Sequence, residues 1–392
     1  MIKHQSMGDI DYEMSDVLSG LNRIREAIGM PPLQENSVLA KAAQAHADYL
    51  VSHHISSHHE NKSQKGFTGK KPIDRALYAG YLARFVGENL STKNRNSQAS
   101  LDGLFSAIYH RFGFLNPLFD EAGIGISQDR LDPDNSAFVY LMGNSELERL
   151  CHINSFRGSG SYMEKGCKNL KHRIDARAYK GAKSTISSLS PSIIKYPYDG
   201  QDEVPPAFYN ETPDPLPDHD VSGFPVSIEF NNPKRKNVKL VYFRLFEKNG
   251  DELKSTRLLN KHSDAHHMLS SYQFALLPLE RLKYDTEYVV KVKYTMSGKS
   301  HTLNWSFSTI KPVEELVTIH KKHDEITLKA GKSYWLYFEP NGPHDVMRTM
   351  RFPGDMYIRF VDNNTMRVVI DPERSRDFEI KGGGRLLHIN VE

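Results

Sequence analysis

Apolar residues recur at helical spacing early in the chain and at alternate positions late in it, and the period changes near residue 220. Val17, Leu21, Ile24 and Ile28 lie three or four residues apart, and Gly29 followed by Pro31 and Pro32 ends the helix they predict. A second helix starts after Asn36, a good capping residue, and runs to about Ser52 with Leu39, Ala43, His46 and Leu50 on one stripe. That stripe puts His46 on the buried face. A polar loop over residues 53–71 leads to Pro72, suited to the first turn of a short helix with Ile73, Ala76 and Leu77. Another helix is expected over about residues 97–112, with Leu101, Leu104, Phe105 and Ile108 inward and His110 on the side of Gly103, Ser106 and Ala107. Residues 123–127 and 137–143 read as strands joined through Asp132-Pro133-Asp134-Asn135, a turn sequence.

From residue 147 the pattern weakens and prolines accumulate, so residues 147–219 read as a connecting segment, its later half extended and aromatic. Beyond it, residues 226–230, 238–247, 288–294 and 303–307 alternate as strands, with Asn249-Gly250 marking a hairpin. Leu282 to Tyr288, followed by Val290, Val292 and Tyr294, looks like the corner tyrosine and next strand of immunoglobulin-like or fibronectin type III sandwiches. Further strands around Ile326 and over 334–338, 357–361, 366–370, 378–380 and 386–391 predict a final all-β unit. The expected domains are therefore 15–146, the connector 147–219, a β-sandwich over 220–312 and an all-β domain over 313–392.

The chain has 392 residues, too many for one ordinary core. Its 51 basic and 48 acidic residues are dispersed, which argues against nucleic acid as a partner. Nowhere does an apolar run reach the roughly 18 to 20 residues of a membrane span, and the first 21 residues hold no signal-peptide core. Cys151 and Cys167, the only cysteines, flank Gly158-Ser159-Gly160-Ser161, which lets the chain fold back and predicts a disulfide and an oxidising compartment. Two buried thiols in a reducing compartment are the alternative.

Candidate chemistry concentrates in the first third. His58 stands in Ser-Ser-His-His-Glu, Glu88 in Gly-Glu-Asn-Leu, His110 in Tyr-His-Arg and Glu121 in Asn-Pro-Leu-Phe-Asp-Glu-Ala-Gly. Together with Arg75-Ala and Ala79-Gly80-Tyr81, these strings in this order resemble the CAP superfamily of cysteine-rich secretory proteins, venom antigens and pathogenesis-related proteins, in its bacterial form. The resemblance covers about residues 15–145. It implies a multidomain α+β protein that begins with an α-β-α sandwich, whose open cleft receives His58, Glu88, His110 and Glu121. In several members the two histidines bind zinc or another divalent cation; the family's activities are disparate, and the fold implies no single reaction.

Three readings follow. The first is a secreted or cell-envelope protein whose cleft binds a divalent metal and a small-molecule, lipid or polymer ligand, with the β domains attaching it to a cell-surface partner. The second is a metal-assisted hydrolase of peptide or cell-wall polymer, with His58 and His110 as ligands and Glu88 or Glu121 as catalytic general base. The third is an adhesion protein with a vestigial cleft. His-Glu-x-x-His and Gly-x-Ser-x-Gly strings are both missing from the sequence. Against these stand plainer roles: His53, His54 and His59 as solvated loop residues, Glu88 as a group bonding loop amides, and His110 with Glu121 as a structural ion pair.

Overall fold

Helix α1 (Ile10–Ile28) buries Val17 and Leu21, but the next inward position belongs to Arg25 rather than Ile24. The guanidinium of Arg25 donates to the carbonyls of Pro31 (3.0 Å), Phe114 (2.7 Å) and Phe119 (3.1 Å), so a charged side chain fastens this helix to two later segments. Burial lowers its pKa to about 10, against the opposing pull of Asp120. The computed structural model describes residues 10–94, 96–231, 237–354, 356–373 and 376–392. They form two compact units, one running to Tyr196 and taking in the strand from Ile228, the other comprising Pro197–Ser227 and Asn237–Glu392.

In the first unit, α2 (Ser37–His53) is capped by Asn36, whose side-chain oxygen accepts from the amides of Val38 and Leu39. After β1 (Gln34–Glu35) and α2 come α3 (Pro72–Ala79), β2 (Gly87–Thr92), α4 (Ser97–Ser106), α5 (Ile108–Phe114), β3 (Glu121–Gln128) and β4 (Ser136–Gly143). The four strands make one sheet in the order β1-β3-β4-β2, which leaves β2 at an edge. Strand β3 lies so close to α2 that a Cβ on Gly123 would sit 1.9 Å from the Ala40 nitrogen, and one on Gly125 2.2 Å from that of Gln44. Only glycine allows this approach.

Alternation along β4 divides the unit into layers. Val139 and Leu141 join the core of α2, whereas Tyr140 on the opposite face meets Phe114 at 5.0 Å and bonds Ser100. The single helix expected over 97–112 is two, because the backbone turns extended at Ala107 (ψ 114°). Arg111, fully buried, donates from Nε to the Phe105 carbonyl (2.6 Å) and so satisfies an acceptor near the break.

The segment from 147 to 196, expected as connector, packs as a cap on this unit. It carries α6 (Ser145–His152) and α7 (Ala176–Ser188), with Leu147, Leu150, Ile174 and Ala182 in the core around Leu39 and Tyr81. Glu148 accepts the amides of Leu82 (2.8 Å) and Ala83 (2.6 Å), and Cys151 is disulfide-bonded to Cys167 with their Cα atoms 5.6 Å apart. Weak hydrophobic periodicity here reflects helices that bury only a few residues each.

The second unit is all β. In one part, Val238–Glu247, Glu287–Met296 and Lys299–Thr309 pair antiparallel, and Gln201–Val204 adds a parallel edge. Tyr288 is buried and its hydroxyl accepts the Lys283 amide (2.9 Å); Trp305 is buried nearby and donates to the Pro197 carbonyl. The remainder, from about residue 313, contains two four-stranded sheets around Leu336, Phe338, Val368, Ile380 and Leu387. Arg281 and Asp362 pair between these two parts, and Asp362 also accepts from the hydroxyls of Tyr209 (2.9 Å) and Tyr284 (2.8 Å).

The disulfide closes a loop spanning 16 positions, which in the chain-entropy account contributes about 3 kcal/mol. Urea unfolding of the Cys151→Ser/Cys167→Ser variant, followed by helical circular dichroism, is expected to show a loss of that order. A loss below about 1 kcal/mol would contradict this account of the cap.

Candidate functional site

The sheet edge organises the site. Successive residues of β2 point to opposite faces, so Glu88 turns toward the α2 and α3 layer while Asn89 turns toward α5. From one face Glu88 accepts His58 Nδ1 at 2.9 Å; from the other, the Asn89 amide donates to the His110 carbonyl at 2.7 Å. Two neighbouring strand residues thus bring a loop and a helix from opposite layers to one edge. The imidazole centroids of His58 and His110 lie 6.3 Å apart with planes 24° from parallel. His58 is 42% exposed at its side chain and Glu88 1%.

Residues 18–142 match the profile of the Cysteine-rich secretory protein family, CAP. The chain contains a CAP domain over these residues. Similar solved structures include an extracellular SCP-domain protein from Bacillus anthracis, 20% identical over 34% of this chain and 40% of that one, with a TM-score of 0.30. An outer surface protein from Borrelia burgdorferi is 19% identical over 36% of this chain and 97% of its own, also with a TM-score of 0.30. A cysteine-rich secretory protein from Staphylococcus aureus is 16% identical over 34% of this chain and 38% of its own, with a TM-score of 0.26. This chain therefore spans less than half the length of the Bacillus and Staphylococcus proteins. No curated protein matches it.

Beneath His58, the fully buried Arg75 of α3 donates from Nη2 to both Glu88 oxygens (2.8 and 2.6 Å) and from Nη1 to the His58 carbonyl (3.1 Å). Burial alone would raise the Glu88 pKa, but the hydrogen bond from His58 and the charge of Arg75 outweigh it and hold it below the ordinary value. Glu88 is thus a fixed anion that sets the direction of the His58 ring.

Glu121 has a different post. Its oxygens accept from the Tyr81 hydroxyl (2.6 Å) and the Asn36 amide (2.9 Å), and Tyr81 in turn accepts the amide of Asn144. Glu121 therefore ties the N-termini of α2 and α6 to the start of β3, at a position 8% exposed, where burial raises its pKa despite those bonds. The bonds described for it run to Tyr81 and Asn36, in place of the expected pairing with His110. Among the described residues no group of three or more His, Cys, Asp or Glu side chains is arranged to hold a metal ion.

Of the neighbouring histidines, His59 is exposed, His54 ends α2 in the left-handed region (φ 52°), and His53 is half-buried against the Lys65 carbonyl and the Tyr49 ring. His46 is fully buried and bonded at both ring nitrogens, to Glu60 (2.9 Å) and the Ser57 carbonyl (3.0 Å). Arg75, Glu60, Asn89 and Tyr81 escape sequence reasoning as site residues. Arg75 and Tyr81 stood inside the strings that carried the family resemblance, and an arginine on the apolar side of a short helix was a sign of a buried anion.

Glu88 and Glu60 are both held below the ordinary glutamate value of 4.5. For a carboxylate with lowered folded pKa, the stabilisation is present above 4.5 and disappears as pH falls through the folded values. The melting temperature of the CAP domain is expected to stay level from pH 7 to about 5 and drop below that. Glu88→Gln, which leaves Arg75 without its counter-charge, should cost about 3 kcal/mol at neutral pH and flatten the acid limb. An acid limb as steep as that of wild type would contradict the assignment.

Proposed function

We propose that the CAP domain binds one divalent cation, zinc foremost, between His58 and His110 at modest affinity. The observation that carries the reading is the pairing of two imidazoles 6.3 Å apart with His58 Nδ1 occupied by Glu88, which directs Nε2 away from the carboxylate as the ligating atom. With zinc–nitrogen bonds of about 2.1 Å, two rings on one tetrahedral ion have their centres about 5 Å apart, so His58 and His110 would close by about 1 Å to share it. Two protein ligands are fewer than the three of most catalytic zinc sites, hence the modest affinity; water or a ligand's own donor would complete the shell.

The donor set supports binding over hydrolysis. A general base needs a free lone pair and a pKa near the working pH, whereas Glu88 is lowered and accepts hydrogen bonds from Arg75 at both oxygens, and Glu121 is engaged by Tyr81 and Asn36. The disulfide supports a site of action outside the reducing cytoplasm, in the cell envelope or beyond. The β-rich half would serve attachment. Its first part reads as an immunoglobulin-like or fibronectin III-like module, a reading supported by the buried Tyr288 whose hydroxyl meets the Lys283 amide.

Calorimetric zinc titration of the full chain after chelator treatment tests the reading. Wild type should take up one zinc that His58→Ala/His110→Ala does not, or binds at least about tenfold more weakly. Equal stoichiometry and affinity in the two proteins would remove the site.

A further inference from the structure

The buried layer beneath His58 contains more charge than orientation of one ring by Glu88 requires. His46 is fully buried, and both of its ring nitrogens face acceptors: Nδ1 a carboxylate oxygen of Glu60 at 2.9 Å, Nε2 the carbonyl oxygen of Ser57 at 3.0 Å. A neutral imidazole donates from one nitrogen and presents a lone pair at the other. Here that lone pair would face an oxygen lone pair in a place closed to solvent, a contact that costs free energy with nothing to offset it. Glu60 accepts the amides of Thr68 and Gly69 and lies beside Arg75, the surroundings of an ionised carboxylate, and opposite that anion only a ring protonated at both nitrogens satisfies the two contacts together.

We propose that His46 is a buried imidazolium that, with Glu60, forms the second ion pair of a clamp holding the Ser57 to Glu60 segment and hence His58. The clamp is electrically balanced. His46 and Arg75 supply two cations, Glu60 and Glu88 two anions, and Arg75 Nε lies 3.8 Å from Glu60 as well as bonding Glu88. Each cation grips a carboxylate and the loop backbone at once: His46 bonds the Ser57 carbonyl, and Arg75 bonds that of His58. Glu60 is fixed from its other side by the amides of Thr68 (2.7 Å) and Gly69 (3.3 Å), and its own amide donates to the Lys70 carbonyl (3.1 Å).

Residues 57, 58 and 60 are therefore each anchored from below, and the imidazole of His58 is carried by a loop with little freedom left. Against the His46 ring on the same helix lies Tyr49, 6.1 Å away and 16° from parallel, whose hydroxyl is engaged by Gln64 and the Asn61 amide. His46 and Glu60 touch no reacting group; they are positioning residues, and that role rests on the metal-binding reading of the cleft.

Nitrogen-15 histidine labelling of the metal-free full chain, with long-range proton–nitrogen correlation at neutral pH, tests the charge directly. His46 is expected to show both ring nitrogens protonated; a pattern with one unprotonated nitrogen overturns the proposal. Positioning is tested by zinc titration of His46→Gln, which retains a donor but no charge. Affinity about tenfold below wild type, with unchanged far-ultraviolet circular dichroism, is expected, and unchanged affinity overturns the positioning role. Should His46→Gln not fold, hydrogen exchange in wild type decides it: the amides of Glu60, Thr68 and Gly69 should be protected, and rapid exchange at them overturns the clamp. If wild type itself takes up no zinc, the cleft reading fails, and the ring-nitrogen pattern of His46 still decides the clamp.

Discussion

The arrangement of His58 and Glu88 in the CAP domain depends on one buried ion pair, Arg75 with Glu88. Arg75 is fully buried and Glu88 nearly so, and a carboxylate held at both oxygens by one guanidinium has no rotational freedom. Everything above it follows from that rigidity. Glu88 can turn the His58 ring only because it cannot turn itself, and the same guanidinium holds the His58 carbonyl, so ring and backbone are fixed from one point. Burying such a pair is costly unless every bond is made. Here much of the cost is offset by backbone carbonyls on Nη1 and by His58 on the carboxylate, while Nε makes no hydrogen bond and has only the charge of Glu60 at 3.8 Å.

The edge position of β2 is the second constraint. An interior strand would have had both flanks covered, and a loop and a helix from opposite layers would not have met beside it. At an edge, the alternation of Glu88 and Asn89 becomes a way of holding two histidines from two layers. Glu121 lies two strands away in the inner strand β3, where it joins the starts of α2 and α6.

Much of this was legible in the sequence, and the exceptions have physical causes. The strand pair around Asp132-Pro133, the capped α2 and the buried face of His46 were visible because each is a local pattern: a turn, a cap, a helical stripe. The strings holding His58, Glu88 and His110 belong to residues that the fold brings near one another, with the imidazole centroids 6.3 Å apart and Glu88 on His58 Nδ1. Strand β2 was missed, since Gly-Glu-Asn-Leu-Ser-Thr alternates poorly and exposes an edge. The break at Ala107 was invisible because what stabilises it, Arg111 on the Phe105 carbonyl, is a tertiary contact made by a residue that reads as helix surface. For the same reason the bonds of Glu121 were not legible: its partners Tyr81 and Asn36 are 40 and 85 residues away, and only the fold brings them together.

On the proposed reading, His58 and His110, held by the edge strand, are the metal ligands, while Glu88 stays bonded to Arg75. X-ray absorption at the zinc edge of the loaded full chain measures this most directly, since imidazole gives a characteristic multiple-scattering signature. Two imidazole nitrogens at about 2.0 Å with the remaining ligands oxygen are predicted. One imidazole or none would contradict the account.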